Sequence, residues 1–270
     1  VSKDGQSPPM TGIVHGYNSV TYSPELKSFL TWHGVGYSNK AIQEMWKKKF
    51  PDRAKLKNYH NRQYPYLYDA AAGRWSRMKT GKGPGSFRIY GAIGEWLPTR
   101  KAFALYLWGK DVWLLHPAEK KWEKLGPEGQ APAGGYEGLG CFDTKRNRIM
   151  CFGNKAGRLG IYDVATNKWI TPDDDFRPHE ASGGGYHTNA GIVNYDSAND
   201  VAVAFLKKKG AYVFDCEKLK WMGREPLPDS VRKGRSGFYS QKHNAHFFFD
   251  AGDSRTTPGD IWAWRYKRKP

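Results

Sequence analysis

Seven dispersed residues have side chains that could cooperate in chemistry on an anionic ligand: Arg88, Tyr90, Tyr136, His187, Asn189, Lys233 and Arg235. Guanidinium and ammonium groups hold carboxylate or sulfate through charge-assisted bonds, and tyrosine rings can stack on sugars. The set also fits β-elimination on a uronate. A cation or Asn189 would neutralise the carboxylate, His187 or a tyrosine would remove the α-proton, and Tyr136 or Tyr90 would protonate the leaving oxygen. A second group, Lys47, Lys48 and Lys49, lies in a basic stretch that could add to a binding surface or form a solvated face. Other chemistry is sparse. GKGPGS at 81–86 lacks the spacing of a phosphate-binding loop, and no HExxH, GxSxG or EF-hand pattern occurs. Asp173, Asp174 and Asp175 could ligate a cation but read better as a solvated loop, so no metal site and no cofactor are predicted.

The seven residues can meet only if a repeated element carries them to one place. Four segments share an aromatic, turn, tryptophan ending: Tyr68-Asp69 to Trp75, His116-Pro117 to Trp122, Tyr162-Asp163 to Trp169, and Phe214-Asp215 to Trp221. Their tryptophans are 47, 47 and 52 residues apart. A second pattern recurs five times, an aromatic entering a hairpin (Tyr22, Trp96, Phe142, Tyr195, Tyr239) with another aromatic ten residues on (Trp32, Tyr106, Phe152, Phe205, Phe249). The intervening turns, SPELK, LPTRK, DTKRN, DSAND and SQKHN, are rich in residues that favour turns. Four-stranded units of about 48 residues, each needing a neighbour to cover its faces, predict an all-β chain forming a β-propeller of five recognisable blades. A β-sandwich is the alternative, but it has no need of the same aromatic at the same phase five times.

The first strand of a propeller blade lines the central channel. Counting back four, six and eight residues from the hairpin aromatic brings Arg88, Tyr90, Tyr136, His187, Asn189, Lys233 and Arg235 to one channel end, with Asn18 on the same face of the first repeat. One residue out of phase, the set becomes His15, Tyr17 and Glu137, which is less coherent.

The cues resemble the kelch family of propellers. They stand here as Gly183-Gly184-Gly185-Tyr186 before Tyr195, then Phe214-Asp215 and Trp221, and again as Gly134-Gly135-Tyr136, then Tyr162-Asp163 and Trp169. The resemblance spans essentially the whole chain and departs at His116-Pro117, where Tyr-Asp is expected. It implies a recognition scaffold and six or seven blades where five are recognisable. A galactose-oxidase-like copper site would also need a cysteine crosslinked to tyrosine, and no cysteine is clearly placed for it. Some polysaccharide lyases are propellers that use His, Tyr and Arg for elimination, and there the resemblance is in residue types only.

Composition sets the partner class. The 270 residues carry a formal charge of +17, a field that attracts anionic polysaccharide, an acidic protein surface or, from charge alone, nucleic acid. No apolar run approaches the roughly 18 residues of a membrane span. The repeats divide as 10–85, 86–133, 134–182, 183–231 and 232–270, read as one propeller domain. An insertion at 33–66 holds a short helix, with Ser38 or Asn39 as cap and Pro51 as its end, and carries Lys47, Lys48 and Lys49. Cys141, Cys151 and Cys216 are too scattered for a disulfide framework. Cys141 and Cys151 fall on the two arms of one hairpin, which leaves a bridge or two buried thiols open, and the compartment open with them, a secreted or periplasmic setting being favoured; the start at Val1 without a charged-then-apolar leader fits either a removed signal or an excised fragment.

Overall fold

Short runs of aromatic and β-branched residues, separated by polar turns of constant length, form strands that pair with their immediate neighbours. A computed structural model describes residues 18, 20–31, 44, 48, 65–84, 92–107, 109, 111–132, 139–152, 159–174, 192–206, 210–228, 234–250 and 259–267. In the first sheet β1 (Val20–Ser23), β2 (Ser28–Thr31), β3 (Tyr66–Asp69) and β4 (Arg74–Arg77) lie in chain order, each antiparallel to the last. The second repeats this order with β5 (Ile93–Leu97), β6 (Ala102–Tyr106), β7 (Val112–His116) and β8 (Lys121–Leu125). The third contains β9 (Leu139–Asp143), β10 (Arg148–Phe152), β11 (Gly160–Asp163) and β12 (Lys168–Ile170). β13 (Ile192–Asp196), β14 (Val201–Leu206), β15 (Gly210–Asp215) and β16 (Lys220–Glu225) make the fourth. Three strands of the fifth are described, β17 (Gly234–Ser240), β18 (Ala245–Asp250) and β19 (Asp260–Trp264). The fold is all-β and of the β-propeller class, with five blade sheets in succession. The chain divides into two compact units, the first holding sheets one and two (Val1–Leu107 with Trp113–Lys124) and the second the remaining sheets (Trp108–Val112 with Leu125–Pro270). Among the described residues no helix is long and apolar enough to cross a membrane. Within the insertion, Glu44 and Lys48 are helical and exposed; the predicted cap and end of that helix lie outside the described residues.

One turn design serves every described hairpin. The fifth residue from the turn's start is left-handed at Lys27, Gly73, Lys101, Lys120, Asn147, Asn167, Asp200, Leu219 and Asn244, with φ between 44° and 62°. Glycine, asparagine and aspartate tolerate this region, whereas other L-residues are held there against about 1–2 kcal/mol of steric cost. Where the turn starts with aspartate, one carboxylate oxygen accepts two backbone N–H groups: Asp69 from Ala71 and Ala72, Asp143 from Lys145 and Arg146, Asp163 from Ala165 and Thr166, Asp196 from Ala198 and Asn199, and Asp215 from Glu217 and Lys218, all at 2.9–3.1 Å. The tyrosine before the turn closes it from outside. Tyr162 donates to Asn167, Tyr195 to Asp200 and Tyr239 to Asn244 at 2.9–3.0 Å. This is the physical content of the Tyr-Asp cue.

The turn geometry corrects the second repeat. Counting back from left-handed Lys120 puts His116 in the aspartate position and Leu115 in the aromatic one, so Leu115-His116, rather than His116-Pro117, matches Tyr-Asp. In the other outer hairpins the tryptophans face the predicted partners, Tyr68 opposite Trp75, Tyr162 opposite Trp169 and Phe214 opposite Trp221, with ring centroids 4.9–5.4 Å apart.

The two aromatic columns occupy opposite faces of each sheet, because the second lies an odd number of residues beyond the cross-strand partner of the first. Trp96 buries against Leu30 and Met78 of the first sheet, and Tyr195 against Met150 and Ile161 of the third. Phe152 instead meets Trp221 of the fourth sheet at 5.7 Å, and Phe205 meets Phe248 of the fifth at 5.1 Å. The first column thus covers the preceding sheet and the second the following one. In the first sheet, Tyr22 and Phe29 of the former face are 42% and 40% exposed; in the fifth, Phe249 of the latter face is 43% exposed. Backbone crowding adds a constraint at Gly237, where a Cβ would collide with the Phe247 carbonyl and come within 2.9 Å of Ile192.

The turn predicts opposite effects at two of its positions. Lys120→Gly should stabilise the protein by ~0.5–1 kcal/mol by relieving the left-handed strain, while Asp163→Ala should destabilise it by ~1–2 kcal/mol by orphaning two N–H groups. Asp163→Asn should retain most of the lost stability. Urea unfolding of the three variants checks the signs and their order.

Candidate functional site

Antiparallel order sends the tight hairpin turns to one end of each sheet and the remaining connections to the other. The turn end is built from ion pairs that satisfy one another. Arg146 reaches both Asp200 oxygens at 2.6 and 2.7 Å and Asp143 at 3.1 Å, joining the first turns of sheets three and four. Lys145 adds a contact to Asp200 at 2.6 Å. The Arg146 hydrogen bond, ahead of opposing burial, holds the Asp200 carboxyl well below its usual range, and its partners raise the Arg146 guanidinium in return. Burial pushes the Tyr195 phenol and the Cys216 thiol up, with Asp143 adding to both. In the second sheet, Arg100 bridges both Glu123 oxygens at 3.1 Å and His116 approaches one at 2.8 Å. Burial alone would raise Glu123, but the His116 bond and Arg100 outweigh it and leave the carboxyl below its usual range.

These clusters are structural, because their charges are consumed within the framework. Asp174 is committed too, accepting the Trp221 N–H at 2.7 Å across sheets three and four. All three cysteines are free and buried. Cys141 stands opposite Met150 and Cys151 opposite Gly140, so the two thiols project from opposite faces of the hairpin and no bridge forms. Among the described residues no three His, Cys, Asp or Glu side chains gather as a metal cluster.

At the opposite end of each sheet its first strand begins. β5, β9, β13 and β17 all start there, at Ile93, Leu139, Ile192 and Gly234, and the candidates lie just upstream of these strands. Arg88, Tyr90, Tyr136, His187, Asn189 and Lys233 lie outside the described residues, as do Lys47 and Lys49. Arg235 falls within β17, where the pairing register with β18 shifts between Gly234 and Ser236. Lys48 is exposed on its helical turn.

One group here escaped the sequence reading. Glu95 sits mid-strand in β5, half-buried, with Asn18 hydrogen-bonded to its carboxyl and the Asn18 carbonyl accepting the neighbouring Gly94 N–H at 2.9 Å. Burial pushes Glu95 from an ordinary value near 4.5 up to about 8, against the Asn18 bond, which lowers it. A carboxyl that keeps its proton at neutral pH donates a hydrogen bond and does not repel an anion. The available signal was one charged residue inside the otherwise apolar run Ile-Gly-Glu-Trp-Leu, at the first strand of a blade.

No protein-family model matches the chain, and no curated protein matches it in sequence.

The Glu95 environment sets a pH dependence. Between about 4.5 and 8 the folded state keeps a proton that the unfolded chain has released, so stability falls as pH rises through this window and levels off above it. Glu95→Gln should remove the slope and gain about 2 kcal/mol over the parent at pH 9, allowing for partial solvent screening. Thermal melts of both proteins from pH 5 to 9 check it.

Proposed function

We propose that this propeller is a recognition module of the kelch type whose non-turn end binds an anionic polysaccharide or an acidic protein surface. One observation carries the reading. The two connections that leave this end of the first sheet, residues 32–65 after β2 and 78–92 after β4, hold eleven lysines and arginines against two acidic residues, a net +9 of the chain's +17. A localised field of that size draws anions from a distance and favours encounter over specificity. Lys47, Lys48 and Lys49 belong to the first connection and Arg88 to the second. Tyr90, Tyr136, Asn189, Lys233 and Arg235 are assigned supporting contacts, the tyrosines as stacking surfaces and the cations as carboxylate or sulfate partners. A protonated Glu95 on the adjoining strand is compatible with such a ligand. The turn end, with its charges paired internally, is assigned the scaffold role.

Retention on immobilised sulfated and carboxylated polysaccharides, measured against sodium chloride, tests the proposal. The triple variant Lys47→Gln, Lys48→Gln, Lys49→Gln should elute at lower salt and lose roughly 2–3 from the slope of log affinity against log salt, about one for each cation released from contact. Unchanged retention would remove the insertion from the binding surface. Incubation with uronate polymers separates binding from catalysis. An unsaturated product absorbing in the far ultraviolet, lost in folded His187→Ala or Tyr136→Phe, would replace this reading with β-elimination.

A further inference from the structure

Three described joints between sheets follow one rule. In sheet three the face of Met150 and Phe152 is laid on the hairpin-aromatic face of sheet four, which carries Val193, Tyr195 and Ala202. Sheets one and two and sheets four and five meet in the same sense, Leu30 against Trp96 and Phe205 against Phe248. Each joint uses one face of each kind. Two described faces carry their columns exposed, and they too are one of each kind. On sheet one, Val20, Tyr22 and Phe29 of the hairpin-aromatic face are 40–52% exposed, whereas Val193, Tyr195 and Ala202 at the same positions of sheet four are at most 7% exposed. Tyr68 and Trp75, half-buried, continue this row across the sheet. On sheet five, Phe238, Phe249 and Ile261 are 43–68% exposed. Their counterparts, Cys141 in sheet three and Phe205 and Ala211 in sheet four, are at most 5% exposed. The exposed face is also bulkier than the buried ones, since Phe238 stands where the other sheets carry Thr21, Glu95, Cys141 and Asn194. Its ring is stacked on that of Phe247, with centroids 5.4 Å apart. A terminal repeat that faced water would carry a polar outer face, and contiguous apolar patches mark contacts with other molecules.

We propose that copies of this chain associate head to tail, the face of Phe238, Phe249 and Ile261 on one copy covering the face of Val20, Tyr22 and Phe29 on the next. The partner is a second copy because the two exposed faces are the two halves of a joint that the chain already builds three times. Both stay exposed with the rest of the chain in place, so each is free to receive another molecule. The contact is heterologous, with a different patch on each partner, and such contacts add copies until a ring closes or a filament grows. Burial of aromatic rings is the driving force, and no new turn, strand or ion pair is required.

Sedimentation of the intact chain over a range of concentrations, with two surface variants, tests the association. The parent should reach at least twice the mass of one chain, and the mass should rise with concentration. Phe249→Glu with Ile261→Glu blocks one face, and Tyr22→Glu with Phe29→Glu blocks the other. Each variant, folded by circular dichroism, should stay at the mass of one chain. An equimolar mixture of the two should recover a dimer and nothing larger, because one intact face of each kind remains. Where a glutamate pair does not fold, a serine pair at the same positions replaces it. A parent that is monomeric at every concentration, or a mixture that stays monomeric, would overturn the proposal. So would a folded sheet-one variant that associates as the parent does, the result expected if the fifth sheet met its own copy.

Discussion

Each sheet in this protein is apolar on both faces, and a two-faced apolar sheet is stable only between neighbours. The remaining features answer to that constraint. Two aromatic columns on opposite faces let one repeat cover the sheet before it and the sheet after it, so Trp96 looks back to Leu30 while Phe205 looks forward to Phe248. Outer strands can then be polar: β4 and β16 expose most of their residues and β8 buries none, whereas β11 and β15 are buried throughout. The first strands must be thin where they crowd, which is why Gly237 has no room for a Cβ. Where no described sheet covers a column, as at Tyr22 and Phe249, the same aromatics are exposed.

Face packing leaves the two ends of each sheet free to differ. At one end the chain reverses in five residues, and short turns have little freedom, so their side chains are used up in holding the reversal. Aspartate oxygens cap the turn, a tyrosine hydroxyl closes it, and Arg146 ties one turn to the next. At the other end of the first sheet the connections, 32–65 and 78–92, are long and hold eleven lysines and arginines against two acidic residues. A turn end whose charges are paired internally, beside basic connections, suits a scaffold whose loops carry recognition.

Buried polar groups mark where the pattern is broken for a reason. Glu95 stands where other repeats carry Thr21, Cys141, Asn194 and Phe238, and His246 where they carry Phe29, Phe103, Ile149 and Ala202; the first is met by Asn18 and the second by Asp196. At Glu95 the low-dielectric setting makes the protein sensitive to pH, because a change of protonation there cannot be absorbed by water.

The sequence by itself determined the number of repeats, their spacing, the hairpins and the pairing of Tyr68, Tyr162 and Phe214 with their tryptophans. These are local facts, set by turn chemistry and by the two-residue period of a strand. It matched His116-Pro117 to Tyr-Asp in the second repeat, one residue late, because the phase of that turn is set by the left-handed residue at Lys120. Spacing alone does not say which face of a sheet meets which neighbour. Of the site, the sequence supplied residue types and a common strand end. Only the tertiary structure decided that Cys141 and Cys151 face apart, that Asp174 is bound to Trp221, and that Glu95 and His246 are buried beside single polar partners. The reason is physical: desolvation and partnership depend on residues distant in the chain, and these come together only when one sheet is laid against another.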